Sequence, residues 1–112
     1  MSKASPDDIA KAKAANPGVE IHITSHPLPG GEVQEFLVKA PSRGTWDIFR
    51  AQQADPVEKM RCEQTLFDAC VLWPEDADRL RVIERYPALP AMCAGELGEI
   101  AGASRGGSHR KA

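Results

Sequence analysis

The spacing of apolar and polar residues divides the chain into an N-terminal pair of strands and a series of short helices. Apolar and polar residues alternate over residues 19–24, which predicts a half-buried strand, and residues 33–39 resume an extended pattern that predicts a second strand. The sequence Pro-Leu-Pro-Gly-Gly at 27–31 predicts a turn between them, so we expect an antiparallel hairpin. An isolated hairpin is marginally stable in water, so its apolar face should pack on the helices that follow.

Apolar residues at three- and four-residue spacing predict four helices in the second part of the chain. Proline residues and capping signals separate them, and they cover residues 43–53, 56–72, 75–86 and 88–101. The helix at 56–72 has the widest apolar face, which includes Val57 and Met60, and is therefore expected to be the most buried. In the helix at 75–86, Leu80 and Ile83 are expected to point into the core. Gly95 and Gly98 in the last helix indicate close helix packing or a helix that is weak alone.

The two ends of the chain differ from this central region. Ser5-Pro6-Asp7-Asp8 predicts a helix start. Ile9 is the only large apolar residue of that helix, which predicts a marginal or loosely attached N-terminal arm over 1–18. Residues 103–112 contain no large apolar side chain and predict a disordered, mildly basic tail. The sequence therefore predicts a mainly α protein of the α+β class, with one hairpin-plus-bundle domain over 19–102.

Composition and charge narrow the range of functions. At 112 residues the chain fits one domain, and a net charge of −2 gives no overall electrostatic reason to bind nucleic acid or an anionic membrane. The body is more acidic than this figure, because Arg105, Arg110 and Lys111 lie in the tail. No apolar run approaches the roughly 20 residues that span a bilayer, and the N-terminus shows no secretory signal, so we expect a cytosolic protein.

The chain contains cysteine, histidine and acidic residues, which often act in catalysis or metal binding, but their spacing does not favour either role. The three cysteines are too far apart for the usual metal-binding pairs and are expected in the core, without disulfides; they are Cys62, Cys70 and Cys93. His22 and His26 share the parity of one strand face, but Pro27 follows His26, so solvent-facing histidines are expected. The acidic residues fit solvated helix faces and helix starts. We therefore predict no catalytic, cofactor-binding or metal-binding residue, no cofactor and no enzymatic activity.

Two aromatic residues of the helix at 43–53 can be interpreted either as core residues or as partner-binding residues. Trp46 and Phe49 lie three residues apart on one stripe, where packing in the core is the simpler interpretation. If Trp46 is partly exposed, it becomes an anchor for a partner, because tryptophan is enriched among the residues that dominate interface energies.

Four sequence segments together resemble a known family. In chain order they are Phe-Leu-Val-Lys-Ala-Pro-Ser-Arg at 36–43, Asp-Ala-Cys-Val-Leu-Trp-Pro at 68–74, Glu-Arg-Tyr-Pro-Ala-Leu at 84–89 and Glu-Leu-Gly-Glu-Ile-Ala-Gly at 96–102. Their order resembles that of the small tail assembly chaperones of tailed bacteriophages and prophages, over about residues 19–102. These segments mark the boundaries of strands and helices, and none of them carries a catalytic residue.

The resemblance implies a binding role in the cytoplasm of the infected host. Such chaperones bind the tape measure protein, keep it soluble until tail tube subunits polymerise around it, and are absent from the finished virion. Tail tube protein is therefore a further expected partner, and some members are also made as a longer, frameshifted form. A helix of the partner would fit a groove between helices. We expect it to meet an apolar surface formed by Trp46, Phe49, Leu97 and Ile100.

Two other readings remain open at this stage. A structural virion component, such as a minor tail or head–tail connector protein, would form a fixed oligomer and be found in particles; the sequence leaves homo-oligomerisation open. A small nucleic-acid-binding regulator would need a basic recognition helix. The helix at 75–86 has Arg79, Arg81 and Arg85, but acidic residues interrupt the positive face, so we predict no nucleic-acid partner.

Overall fold

A computed structural model of the protein describes residues 3–102 and 109–112. Within these ranges the chain forms five α-helices, a 3₁₀ turn at Lys59–Arg61 and four β-strands. The helices are α1 (Pro6–Ala15), α2 (Arg43–Ala54), α3 (Cys62–Cys70), α4 (Asp76–Arg85) and α5 (Leu89–Ile100). The strands are β1 (Ile21–Pro27), β2 (Val33–Lys39), β3 (Val71–Trp73) and β4 (His109–Lys111). The prediction of a mainly α protein of the α+β class is confirmed.

The predicted hairpin forms the centre of an antiparallel sheet with the strand order β3-β2-β1-β4. The strands β1 and β2 pair along their full length, from Ile21 opposite Lys39 to Pro27 opposite Val33. Gly30 and Gly31 close the turn with positive φ angles, +91° and +88°, which residues with a Cβ adopt only under strain. The first strand therefore begins and ends later than the predicted 19–24, the second has the predicted bounds, and β3 and β4 flank the hairpin on either side.

The two faces of the sheet are covered by different helices. Side chains opposite each other in an antiparallel pair share a face. One face carries Ile21, Ile23 and Leu37, and α1 covers it with the partly buried Ile9 and Ala12. The N-terminal arm therefore packs on the sheet, on the side away from the other helices.

The other face carries the main core. Phe36 and Val38 of β2 contact buried residues of α3 and α5 there, and the ring of Phe36 meets that of Phe67 edge-on at 5.1 Å. Leu66 and Leu97 are almost completely buried in the same cluster. This cluster fixes α5 against the sheet, which positions the groove described below.

The predicted helix over 56–72 is wrong at both ends. The α-helix begins at Cys62, after the 3₁₀ turn, and ends at Cys70. Residues 71–73 form β3 instead, where Val71 pairs with Val38. A β-branched and an aromatic residue favour this extended conformation, and the pairing with β2 outweighs the helical spacing.

Two residues assigned to the apolar face of that helix are exposed. The Asp55 carboxylate accepts hydrogen bonds from the backbone N–H groups of Val57 (2.8 Å) and Glu58 (3.3 Å), which holds a turn where helix was expected. Val57 and Met60 therefore project outward, and the Met60 side chain is 94% exposed. Leu80 of α4 was also expected in the core but is largely exposed, whereas Ile83 does pack against the core.

The prediction of a disordered tail over 103–112 is wrong for its last residues. Residues 109–111 form β4, which pairs with β1 through Thr24, Ile23 and His22. A strand edge with unpaired N–H and C=O groups recruits even a polar segment, since backbone hydrogen bonding does not require apolar side chains. The remainder of that prediction, 103–108, lies outside the described residues. No helix in the described ranges is long and apolar enough to cross a bilayer.

Candidate partner-binding groove

A groove of about 290 Å³ lies on the surface between α2 and α5. Its lining comes from α2, α3 and α5 and consists of Trp46, Phe49, Arg50, Gln53, Glu63, Ala94, Gly95, Gly98 and Glu99. Aromatic rings form one wall, small residues form the floor, and charged groups stand at the rim. This combination of an apolar floor and a polar rim is typical of protein-binding surfaces.

The aromatic wall depends on how α2 begins. The Ser42 hydroxyl accepts a hydrogen bond from the backbone N–H of Thr45 at 3.1 Å, which caps the helix one residue before Arg43. With its start fixed there, the helix places Trp46 and Phe49 on the same face, three residues apart. Their rings stack at 4.9 Å between centroids with an angle of 30°. Both side chains are only partly buried, and both line the groove.

The floor of the groove depends on small residues of α5. A Cβ atom added at Gly98 would lie 3.7 Å from Cη2 of Trp46, so the indole rests almost against the helix backbone. Nothing lies within 4 Å of the corresponding position at Gly95. Ala94 is buried beside them. The close packing that the two glycines predict is therefore found at Gly98 and is absent at Gly95.

The structure brings together only part of the predicted binding surface. Trp46 and Phe49 line the groove, whereas Leu97 is fully buried in the core and cannot contact a partner while the fold is intact. Its assignment to the surface is wrong, because Leu97 lies on the side of α5 that faces α3 and the sheet. Ile100 is partly buried and packs against the core cluster without lining the groove.

Sequence reasoning missed the charged rim. Arg50 comes from α2, Glu63 from α3 and Glu99 from α5. Arg50 shares the helical stripe of Trp46 and Phe49, which is a usable signal. No sequence signal identifies Glu63 and Glu99 as groove residues, because the local sequence does not show which helices pack side by side.

The two strand histidines are not at the surface, contrary to the prediction. His22 and His26 are both buried, because β1 continues through Pro27 and the bundle covers this side of the sheet. The imidazole of His26 lies 3.0 Å from the hydroxyl of Thr24, which in turn lies 3.7 Å from the sulfur of Cys93. This buried polar chain connects β1 to α5.

Burial changes the chemistry of that chain. Desolvation lowers the pKa of His26, and the carboxylate of Glu96 opposes this only in part. Desolvation also raises the pKa of Cys93 to about 12 and that of Cys70 to about 11. Both thiols are therefore protonated near neutral pH and poorly nucleophilic. Over 3–102 and 109–112, no group of three or more His, Cys, Asp or Glu side chains is placed to hold a metal ion.

The arginines of α4 are engaged within their own surroundings. Arg79 pairs with Asp76 at 2.6 Å, and Arg81 pairs with Asp78. Arg85 donates a hydrogen bond to the hydroxyl of Tyr86 at 3.0 Å. These contacts reduce the positive potential that a recognition helix would present to phosphates.

Comparison with known proteins gives a structural relative. No protein-family profile and no curated protein matches the sequence. The fold is similar to the solved structure of an uncharacterised protein, rbstp2171 from Bacillus stearothermophilus, with a TM-score of 0.66 and 18% sequence identity. The match covers 89% of this chain and 97% of that one. At this identity the likeness concerns the fold alone.

Proposed function

We propose that this protein is a tail assembly chaperone of a tailed bacteriophage or prophage, which binds the tape measure protein in the groove between α2 and α5. The observation that carries the proposal is the stacked pair Trp46 and Phe49, partly buried above a floor of small α5 residues. The identity of the partner comes from the sequence resemblance, and the groove supplies a place for it.

The geometry of the groove favours a helical partner. An amphipathic helix binds by placing apolar side chains from one face into a groove between two helices. The aromatic wall offers rigid contact area at low entropic cost, because a tryptophan side chain already held by its neighbour loses little freedom on binding. Long apolar stripes on an unassembled helical protein would otherwise aggregate. Covering such a stripe is the chaperone activity that we assign to this surface.

The charged rim favours a defined orientation of the bound helix. Arg50 stands on the α2 side, whereas Glu63 and Glu99 stand on the α3 and α5 side. A helix with acidic residues flanking one edge of its apolar stripe and basic residues flanking the other fits this arrangement. Rim charges of this kind contribute mainly to association rate and register.

Co-expression with the candidate partner tests the proposal. The partner to use is the longest helical protein encoded nearby, which should precipitate when it is expressed alone. We expect the native chain to keep it soluble in a complex, and Trp46→Ala and Phe49→Ala each to weaken the complex by roughly tenfold or more, as at interface hot spots.

The matched control is Ile48→Ala, since Ile48 lies on the same helix, is 56% exposed and does not line the groove. Circular dichroism of each variant checks that the fold is intact. Loss of the complex in all three variants, or in none, would contradict the assignment to the groove. Recovery of this chain as a discrete ring in purified particles would favour a structural virion component instead.

A further inference from the structure

Gly95 lies at a helical position where the fold itself gains nothing from a glycine. It is exposed in the middle of α5, and its φ angle is not one of the positive values that favour glycine. A Cβ atom added there has no neighbour within 4 Å from the rest of the described chain. Because glycine weakens a helix interior relative to alanine, position 95 carries a cost that no contact among the described residues offsets.

Gly98, one turn later, shows what a glycine in this helix makes possible. Its missing side chain lets the indole of Trp46 approach α5, since an added Cβ would lie 3.7 Å from Cη2. Both glycines line the same groove. Gly95 therefore offers a similar close approach to the helix, but no described residue uses it.

The space above Gly95 is large enough for one sizeable apolar side chain. The groove has a volume of about 290 Å³, with Ala94 beside Gly95 on its floor and the stacked rings of Trp46 and Phe49 as its wall. An enclosed apolar cavity of roughly 150 Å³ already holds a benzene molecule. A leucine or phenylalanine side chain therefore fits, and such side chains are the anchors by which amphipathic helices bind in grooves.

Two charged side chains restrict the sequence around that anchor. Arg50 from α2 and Glu63 from α3 line the groove, are exposed, and form no ion pair with another described residue. A partner with an acidic residue beside Arg50 and a basic residue beside Glu63 matches both charges. On a helix, residues three or four positions from the anchor lie next to it, so a helical partner supplies all three groups from one face.

We propose that the surface above Gly95 is a pocket for one leucine or phenylalanine side chain of a partner helix, and that the missing side chain at position 95 sets the size of that anchor. The proposal rests on the proposed function of the groove and adds the chemistry of its occupant. Gly95 is then a specificity-determining residue, since any larger residue there would occupy the volume that the anchor needs.

Stability and binding should therefore change in opposite directions when Gly95 is replaced. Gly95→Ala should raise the urea midpoint of the free chain, because alanine is the better helix former and its methyl group meets nothing within 4 Å. The same methyl group should weaken the complex, because it takes space from the anchor. A role confined to the fold cannot produce this opposition.

The probe for the binding test is the longest helical protein encoded nearby, as in the co-expression experiment. The quantity measured is the concentration of purified chain that keeps half of the probe in solution. We expect this concentration to rise roughly threefold for Gly95→Ala and roughly tenfold or more for Gly95→Leu, which fills the pocket. Met92→Leu is the matched control, since Met92 is 52% exposed on the same helix and does not line the groove. It should behave as the native chain does.

A compensating change in the probe identifies the anchor. Leucine and phenylalanine residues are replaced singly by alanine in the segment of the probe that the chain protects from proteolysis. One substitution should weaken binding to the native chain and restore binding to Gly95→Leu, because the introduced leucine fills the space that the anchor has left. If no substitution restores binding to Gly95→Leu, the proposal is overturned.

The remaining outcomes separate this proposal from the proposed function. If Trp46→Ala weakens the complex and Gly95→Leu does not, the pocket is wrong while the groove remains the binding site. If neither substitution weakens it, the assignment of the partner to the groove fails, and the pocket fails with it. A lower urea midpoint for Gly95→Ala would show that another part of this chain occupies the space. A change in the sedimentation coefficient of Gly95→Leu alone would assign the space to a second copy, and either of these results overturns the proposal.

Discussion

The indole of Trp46 lies so close to Gly98 that an added Cβ would be 3.7 Å from its Cη2 atom. This is an ordinary van der Waals distance, so one methyl group fits beneath the ring without moving it. A larger side chain directed toward the indole would displace the ring. Gly98 therefore fixes how deeply Trp46 sits over α5, and with it the shape of the groove.

Replacing this glycine should have opposite effects depending on size. Gly98→Ala should raise the free energy of unfolding by about 0.5–1 kcal/mol, because alanine is the better helix former and its methyl group meets the indole at contact distance. Gly98→Leu should push Trp46 outward and increase its exposure. Urea denaturation measures the first effect. Quenching of tryptophan fluorescence by acrylamide, in a Trp73→Phe background, measures the second.

Gly95→Ala is the matched control, since nothing lies within 4 Å of the added Cβ. It should stabilise α5 by a similar amount and leave the fluorescence of Trp46 unchanged. If Gly98→Ala destabilised the protein or shifted the Trp46 signal, the methyl group would not fit beneath the indole, and the contact distance of 3.7 Å would be wrong.

Alanine substitutions at Leu97 and Ile100 should lower the free energy of unfolding by different amounts. Leu97→Ala should lower the free energy of unfolding by about 2–5 kcal/mol, because the side chain is fully buried and its removal leaves a cavity. Ile100→Ala should cost less, since Ile100 is only partly buried. Met92→Ala, at an exposed position of the same helix, should stay within about 0.5 kcal/mol of the native chain. Equal losses at 97 and 92 would contradict the burial of Leu97.

Local signals predicted the elements well where propensity and tertiary packing agree. The capping serine of α2 and the extended pattern over 33–39 both led to correct elements. Predictions failed where a contact distant in sequence decided the outcome. Val71 has the right spacing for a helix but pairs with Val38, and His26 precedes a proline but is buried against Phe36.

Prediction of the groove residues from local sequence is limited in the same way. The spacing of Trp46 and Phe49 places them on one face of α2 from sequence alone. The spacing of Leu97 and Ile100 likewise places them on an apolar stripe, but a stripe does not state whether it faces the core or a partner. That depends on the packing of α5 against α3 and the sheet, which the local pattern does not contain.

The buried His26 should make stability fall at mildly acidic pH. Desolvation lowers its pKa below the ordinary value of 6.5, so the unfolded chain takes up a proton before the folded one does. Stability from this group is complete above pH 6.5 and is lost as the pH falls from there through the folded-state pKa. Glu96 opposes the shift, and Thr24 is the neutral neighbour at 3.0 Å.

The measurement is the urea midpoint between pH 8 and pH 5 for the native chain and for His26→Gln. Glutamine places an amide nitrogen near the position of the ring Nε2 but does not titrate. We expect a shallower fall below pH 6.5 in the variant, whatever its absolute stability at pH 8. Parallel curves for the two proteins would show that His26 is not the group responsible.

The thiols of Cys70 and Cys93 should be unreactive until the protein unfolds. With pKa values raised to about 11 and about 12, their thiolate fractions at pH 8 are roughly one in a thousand and one in ten thousand. Neither side chain is exposed, which limits the access of a reagent as well. A Cys62→Ala chain isolates the two. Ellman's reagent should then detect two thiols promptly in guanidinium chloride and almost none in buffer. Reaction in buffer at the rate of free cysteine would mean that α3 and α5 separate readily, and that the core joining them to the sheet is less closed than its burial indicates.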